Sequence, residues 1–198
     1  MAEAHVMATG VEPRAATGIP TGKMGVWWFL ASEIVLFGGL IGVYIMSRLG
    51  STGWPEMAAH LSVPIGTLNT FVLLTSSLTM VLAFAAVEKG DQKGMRTWLL
   101  WTVLLGLTFL VIKAFEWGSE IGAGFPLTAG GFWSFYYTMT GLHALHVLGG
   151  VVVNSILFLS ALMGLLGRNE HRVELAGLYW HFVDVVWIFL FPLLYLSW

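Results

Sequence analysis

Long apolar runs alternate along this chain with short stretches of glycine, proline and charged residues. A helix needs about 20 mostly apolar residues to cross the hydrocarbon core of a bilayer, and five runs reach that length. The fourth run is longer than one crossing requires, so this helix is expected to tilt or protrude. The predicted spans are about Met24–Ser47, Pro64–Val87, Met95–Trp117, Phe132–Leu166 and Val173–Trp198.

These runs predict an all-α fold, an integral membrane bundle of five transmembrane helices in one domain, residues 24–198. Residues 1–23 are small and polar and lack the apolar run of a cleavable signal peptide, so they are expected to form a flexible cytoplasmic tail.

Composition agrees with a membrane protein and narrows the chemistry. The 198 residues are 57% hydrophobic and 10% charged, and the mean hydropathy of +0.80 exceeds what a soluble domain needs. Cysteine is absent, which excludes disulfides, thiolate nucleophiles and iron–sulfur clusters. The net charge of −2 provides no basic surface for nucleic acid.

Basic residues predict the orientation of the helices. Those near the first span's start and in the second and fourth connections fall on one side of an alternating topology, and the opposite side has only Arg48 at its rim. The positive-inside rule then places the N-terminus in the cytoplasm and the C-terminus outside. The residues on the basic side are Arg14, Lys23, Lys89, Lys93, Arg96, Arg168 and Arg172.

Ionisable residues inside the spans are costly in lipid, so each is expected to have a partner or a function. With a rise of about 1.5 Å per residue, those of the first, fourth and fifth spans lie near the midplane. We expect them to form one buried polar cluster between these three helices. Its members are Glu33, His143, His146, His181 and Asp184.

A second polar pair, Lys113 and Glu116, lies near the outer end of the third span. They are three positions apart, so both side chains share one helix face and can form a partly desolvated ion pair. A role in a proton path is the alternative.

The stretch TGLHALHVLGG, Thr140–Gly150, raises the question of metal or haem binding. Two histidines and a carboxylate can hold a metal, and histidines on facing helices can hold a haem. The alternative is that the imidazoles form hydrogen bonds across a helix interface. Spacing alone leaves both interpretations open.

Glycines concentrate in the first and fourth spans, at Gly38, Gly39, Gly42, Gly141, Gly149 and Gly150. Small residues let helices approach closely in lipid. A groove that holds lipid is the other interpretation.

Three segments resemble subunit III of the haem-copper oxidases, in its cytochrome c oxidase branch. They are WWFLASEIVLFGGLIGVY (Trp27–Tyr44), TGLHALHVLGG and YWHFVDVVWIFLF (Tyr179–Phe191), and the likeness covers residues 24–198. Five spans resemble the short bacterial form of a family that often has seven, which implies a multi-pass protein of the bacterial inner (plasma) membrane.

The resemblance implies a non-catalytic accessory subunit of a proton-pumping oxidase that reduces O₂ in aerobic respiration. Haem and copper would lie in subunits I and II, and this chain would hold no metal or redox cofactor. It would stabilise subunit I, its main partner, and support proton uptake. Contacts with subunit II and other oxidase subunits, bound phospholipid that guides O₂, and membership of a respiratory supercomplex are further expectations. In the seven-span form of the family, the first two helices build one part of a cleft that holds lipid. The five spans of this chain resemble the form that lacks these two helices.

Individual residues also match the family. Glu33 corresponds to its buried carboxylate that reacts with hydrophobic carbodiimide, and Glu116 to the acid of a Q-x-x-E-Y segment. Here Lys113 replaces that glutamine and Trp117 replaces that tyrosine. The extra charge beside Glu116 changes what that acid can do.

Two alternatives remain open. The chain could be the equivalent small subunit of a quinol oxidase or a nitric oxide reductase. It could also be a free-standing haem enzyme or transporter with His143, His146 and His181 in its site. A transporter is expected to have broken helices around the midplane, whereas the prolines of these spans, Pro64 and Pro192, lie near span ends.

Overall fold

The computed structural model describes residues 21–51, 53–166 and 170–196, the side chain of residue 170 excepted. The described residues form helices and connecting turns. The helices are α1 (Thr21–Leu49), α2 (Trp54–Ala58), α3 (Val63–Glu88), α4 (Gln92–Gly122), α5 (Gly131–Leu162) and α6 (Glu170–Tyr195).

Five of these helices are long and apolar enough to cross a membrane, which confirms the predicted number of spans. Helix α1 begins at Thr21, so the last three residues of the expected tail are helical, and the rest of the tail lies outside the described residues. Helix α4 continues past Trp117 to Gly122. The N-cap residue of α4 is Asp91, whose Oδ1 accepts a hydrogen bond of 2.9 Å from the Gly94 N–H in the first turn.

Helix α5 is shorter than predicted. It ends at Leu162, whereas the apolar run continues to Leu166. Gly164 has a φ of 72°, a left-handed conformation that glycine adopts without steric cost. The Leu165 N–H then bonds to the Ser160 carbonyl at 2.9 Å, the pattern of a Schellman motif. The glycine conformation and its hydrogen bonds therefore end the helix, although the apolar residues continue to Leu166.

The short helix α2 was not predicted from the sequence. Pro55 lies in its first turn, where the missing N–H has no intrahelical partner to lose. Trp54 packs against Tyr44 at a ring-centroid distance of 5.2 Å and against Phe132 at 6.1 Å. Helix α2 thus covers the end of the bundle between α1 and α5.

Helices α3, α4, α5 and α6 form a ring in which each packs against its two neighbours, and α1 lies against α6 and α5. In the most apolar window of α1, 17% of the residues are buried, compared with 33 to 39% in the other four spans. The structure is therefore a four-helix bundle with a fifth helix attached outside it.

Trp180 of α6 is the side chain around which this ring closes. It is fully buried, and its indole N–H donates a 3.0 Å hydrogen bond to Ser76 Oγ of α3. A Cβ placed on Gly106 of α4 would meet the Trp180 ring at 2.8 Å, and one on Gly150 of α5 would meet it at 2.5 Å. The indole thus contacts all three other helices of the ring.

Glycines of α1 and α5 have different surroundings. Gly150 permits close packing against Trp180, whereas no described residue lies within 4 Å of a Cβ added to Gly38, Gly39 or Gly42 of α1. These three glycines therefore do not pack against another helix of the described structure.

Alternating helix directions place Lys23, Lys89, Lys93 and Arg172 at one end of the molecule. Arg14 and Arg168 lie outside the described residues. The side of the membrane that this end faces remains a prediction from charge.

Candidate functional site

Glu33 and His146 join the outer helix α1 to α5. The His146 Nε2 and a Glu33 carboxylate oxygen are 3.0 Å apart, and both side chains are largely buried. The other ring nitrogen, Nδ1, lies 2.8 Å from the Leu142 carbonyl one turn earlier. The Tyr179 hydroxyl of α6 donates to the His146 carbonyl at 2.9 Å. Three helices therefore meet at this histidine.

His143 has a different environment. Its side chain is fully buried, stacked on Trp187 at a centroid distance of 5.1 Å and edge-on to Phe109 at 5.5 Å. Neither ring nitrogen has a hydrogen-bond partner among the described residues. Its packing partners belong to α6 and α4.

His181 and Asp184 of α6 lie on the side of that helix that faces α3. His181 Nδ1 and the Ser77 hydroxyl are 2.6 Å apart, and Asp184 is buried with 2% of its surface exposed. Sequence reasoning missed Ser77 as a partner. The sequence feature that could have indicated this partner is the run of hydroxyl residues between Thr75 and Thr79, in the second predicted span, which has no ionisable residue.

The described contacts give members of the expected polar cluster different neighbours. Glu33 meets His146, His143 packs between aromatic rings, and His181 meets Ser77 of α3. Residues three apart on a helix diverge by about 60°, which is enough for neighbouring histidines to face different helices. Equal depth in the membrane therefore does not by itself give these groups a common partner.

Lys113 and Glu116 form the expected intrahelical ion pair, with a distance of 3.0 Å between Nζ and Oε2. The sequence predicted a partly desolvated pair, whereas each side chain has only 2% of its surface exposed and is thus buried more deeply. The Tyr195 hydroxyl of α6 donates to the other Glu116 oxygen at 2.5 Å. The pair is thus a link between helices as well as a contact within α4.

Within the described part of the chain, no group of three or more histidine, cysteine, aspartate or glutamate residues is arranged to hold a metal ion. The two histidines of the TGLHALHVLGG stretch have separate neighbours, Glu33 for one and aromatic rings for the other. The geometry favours helix attachment at His146 and aromatic packing at His143.

Comparison with known families decides what this bundle is. The model of the family described as cytochrome c oxidase subunit III matches residues 9–198, which include all five spans. The chain belongs to the cytochrome c oxidase subunit III family. The resemblance carried by the three sequence segments is confirmed.

Named relatives in this family support the assignment over most of their length. Cytochrome c oxidase subunit 3 of Bacillus sp. (strain PS3) is 37% identical over 174 residues, 87% of this chain and 84% of that protein. A probable quinol oxidase subunit 3 of Staphylococcus saprophyticus is 36% identical over 176 residues, 88% of each chain. The names of these subunit III relatives thus include both cytochrome c oxidase and quinol oxidase.

A fused relative shows a subunit III sequence joined to another subunit. The heme-copper oxidase subunit I+III of Aeropyrum pernix is 35% identical over 182 residues, 88% of this chain and 22% of that protein. Subunit III family membership and five apolar helices make this chain a multi-pass protein of the bacterial inner membrane.

Proposed function

We propose that this chain is the accessory subunit III of a haem-copper terminal oxidase, the respiratory complex that passes electrons to O₂. The family match over residues 9–198 carries this proposal. The haem and copper centres would be held by the partner subunits. In this role the chain would stabilise the catalytic core during turnover and support proton uptake.

The contacts of the ionisable residues support an accessory role. Glu33, His146, Lys113 and Glu116 are each engaged with another side chain of this chain. Such contacts offset the cost of placing polar groups in lipid and hold helices together. These residues therefore serve the attachment of α1 and the closure of the ring.

Subunit I is the proposed main partner. The fused subunit I+III relative keeps the two sequences in one polypeptide, which ensures that they remain together in the membrane. Subunit II, the other oxidase subunits and a respiratory supercomplex are further proposed neighbours. Relatives of this chain are named as subunits of a cytochrome c oxidase and of a quinol oxidase. The neighbouring subunits, rather than this chain, would therefore determine which electron donor the complex uses.

Phospholipid is a proposed ligand of the cleft between α1, α5 and α6. A cavity of about 590 Å³ lies there, with Gly25 and Phe29 on α1, Val153 and Ile156 on α5, and Arg172 on α6. Its lining is mostly apolar, which suits an acyl chain, and the Arg172 guanidinium suits a phosphate. A lipid in this place would fill the gap beside α1 and could provide an apolar route for O₂ to subunit I.

The first experiment is purification of the native complex through a tag on this chain, from gently solubilised membranes. We expect oxidase haem bands in the reduced-minus-oxidised spectrum and a subunit I homologue in mass spectra of the preparation. The chain isolated alone should show no haem band. A haem signal that stays with the isolated chain and disappears in His146→Ala would contradict the accessory role.

Deletion of the chain tests its role in the complex. The haem spectrum should remain unchanged, whereas the oxidase should inactivate sooner during continuous turnover. An unchanged number of turnovers before inactivation would exclude the stabilising role and leave family membership intact.

A further inference from the structure

A fully enclosed cation, Lys113, lies toward the end of the helix ring that is opposite to Lys93. The Lys113 Nζ is 3.0 Å from Glu116 Oε2 and 3.2 Å from the Tyr136 hydroxyl, and it also donates to the Tyr195 hydroxyl. An ammonium group has three N–H donors and no acceptor. Each donor of Lys113 therefore has an acceptor inside the protein.

Aromatic rings surround the same atom. The Lys113 Nζ lies 4.9 Å from the ring centroid of Tyr136, 5.1 Å from that of Trp187 and 5.0 Å from that of Tyr195. A cation within about 6 Å of an aromatic centroid is attracted by the ring quadrupole, and proteins use sets of such rings to bind ammonium ligands. The ion pair with Glu116 alone does not require these rings.

Two of the rings, Trp187 and Tyr195, also have contacts that do not involve Lys113. The Trp187 N–H donates to Thr70 Oγ1 of α3 at 2.9 Å, and its ring meets Phe109 edge-on at 5.0 Å. The Tyr195 hydroxyl donates to Glu116 Oε1 at 2.5 Å. These contacts come from α3, α4 and α6, and they hold the two rings beside the position that the ammonium group occupies.

We propose that Tyr136, Trp187, Tyr195 and Glu116 form a binding site for a primary ammonium group, with Lys113 as its tethered occupant. Two of the three rings belong to α6, so the site is complete only when this last helix has packed against α4 and α5. The ammonium group then anchors the final turn of α6, which follows Pro192. The site thus makes closure of the helix ring depend on a cation.

The charge is tested with Lys113→Met in the purified oxidase complex. Methionine keeps an unbranched chain of similar length and removes the ammonium group. We expect the temperature at which half of this chain becomes sensitive to brief proteolysis to fall by about 10 °C, because one partner of a buried pair is removed. Lys93→Met, at an exposed position of α4, is the matched control and should change little. An unchanged transition in Lys113→Met would overturn the proposal.

A double variant separates an ammonium site from an ion pair alone. In Lys113→Met with Glu116→Gln no charge remains unpaired, so a simple ion pair predicts recovery of the full transition temperature. The ammonium site predicts only partial recovery, because the three rings have lost their cation. Full recovery would refute the aromatic part of the site.

Chemical rescue tests the ligand class directly. Lys113→Ala opens room for a small amine, and n-propylammonium should restore a large part of the lost stability at neutral pH. The matched alcohol 1-propanol should not. Equal effects of amine and alcohol, or no effect of the amine, would count against an ammonium site. If Lys113→Ala fails to assemble, the double variant decides alone.

Discussion

At the scale of single residues, two histidines three positions apart have different roles. The Leu142 carbonyl can only accept, so the 2.8 Å contact requires the proton of His146 on Nδ1. The Nε2 atom is then left to interact with Glu33 at 3.0 Å. The His143 ring instead stacks on Trp187 and makes an edge-to-face contact with Phe109. One imidazole thus links helices through polar contacts, and the other fills space.

Substitution by phenylalanine should separate these two roles. We expect His143→Phe to change the free energy of unfolding by less than about 1 kcal/mol, since an aromatic ring replaces an imidazole that has no hydrogen-bond partner among the described residues. His146→Phe should destabilise the chain by about 1–3 kcal/mol, because it leaves the buried Glu33 without its partner. Thermal unfolding of the two variants in the oxidase complex measures the difference. A larger loss in His143→Phe than in His146→Phe would show that this assignment is reversed.

At the scale of helices, a glycine brings two helices close together only where a large side chain of the neighbouring helix fills the space beside it. Trp180 occupies the space beside Gly106 and Gly150, whereas no described residue occupies the space beside Gly38, Gly39 and Gly42 of α1. The ring helices are therefore held by close interdigitation around one indole.

Alanine substitution tests this difference between helices. Gly150→Ala should lower the free energy of unfolding by about 1–3 kcal/mol, because its Cβ would overlap the Trp180 ring. Gly39→Ala on α1 is the matched control and should be neutral or slightly stabilising, since alanine favours a helix more than glycine does. Equal destabilisation in both variants would argue against the packing role of Trp180 and would place a neighbour against Gly39.

Helix α1 is attached differently, through contacts spaced along its length. Lys23 pairs with Glu174 near its start, Glu33 meets His146 in the middle, and the Tyr44 hydroxyl donates to the Leu193 carbonyl at 3.0 Å near its end. Polar contacts of this kind orient the helix, while much of its apolar surface remains exposed. That exposed surface suits contact with lipid or with another subunit.

At the scale of the whole molecule, the basic residues at one end predict the direction of insertion. The chain has no cysteine, so single cysteines can be introduced and labelled with a thiol reagent that does not cross membranes. Ser51→Cys and Ala123→Cys should react in intact spheroplasts, and Lys93→Cys only after permeabilisation. The opposite pattern would show that the positive-inside prediction is wrong for this chain.

Hydropathy was sufficient to predict the five spans, because lipid requires each crossing segment to be long and apolar. It failed at Leu162, where Gly164 ends α5, and at the short helix α2. Both features depend on local backbone geometry and on contacts such as Trp54 with Tyr44, which hydropathy does not contain. The Lys113–Glu116 pair was predictable because its two members are close on one helix.

The sequence by itself determined the membrane location, the number of spans and the family, since these depend on composition and on long specific segments. Only the tertiary structure decided which buried polar groups meet. Helix rotation separates His143 from His146 and brings Ser77 to His181, and the packing of α6 places Tyr195 on Lys113 and Glu116. Depth in the membrane follows from position along the chain, whereas direction around a helix axis depends on the neighbouring helices.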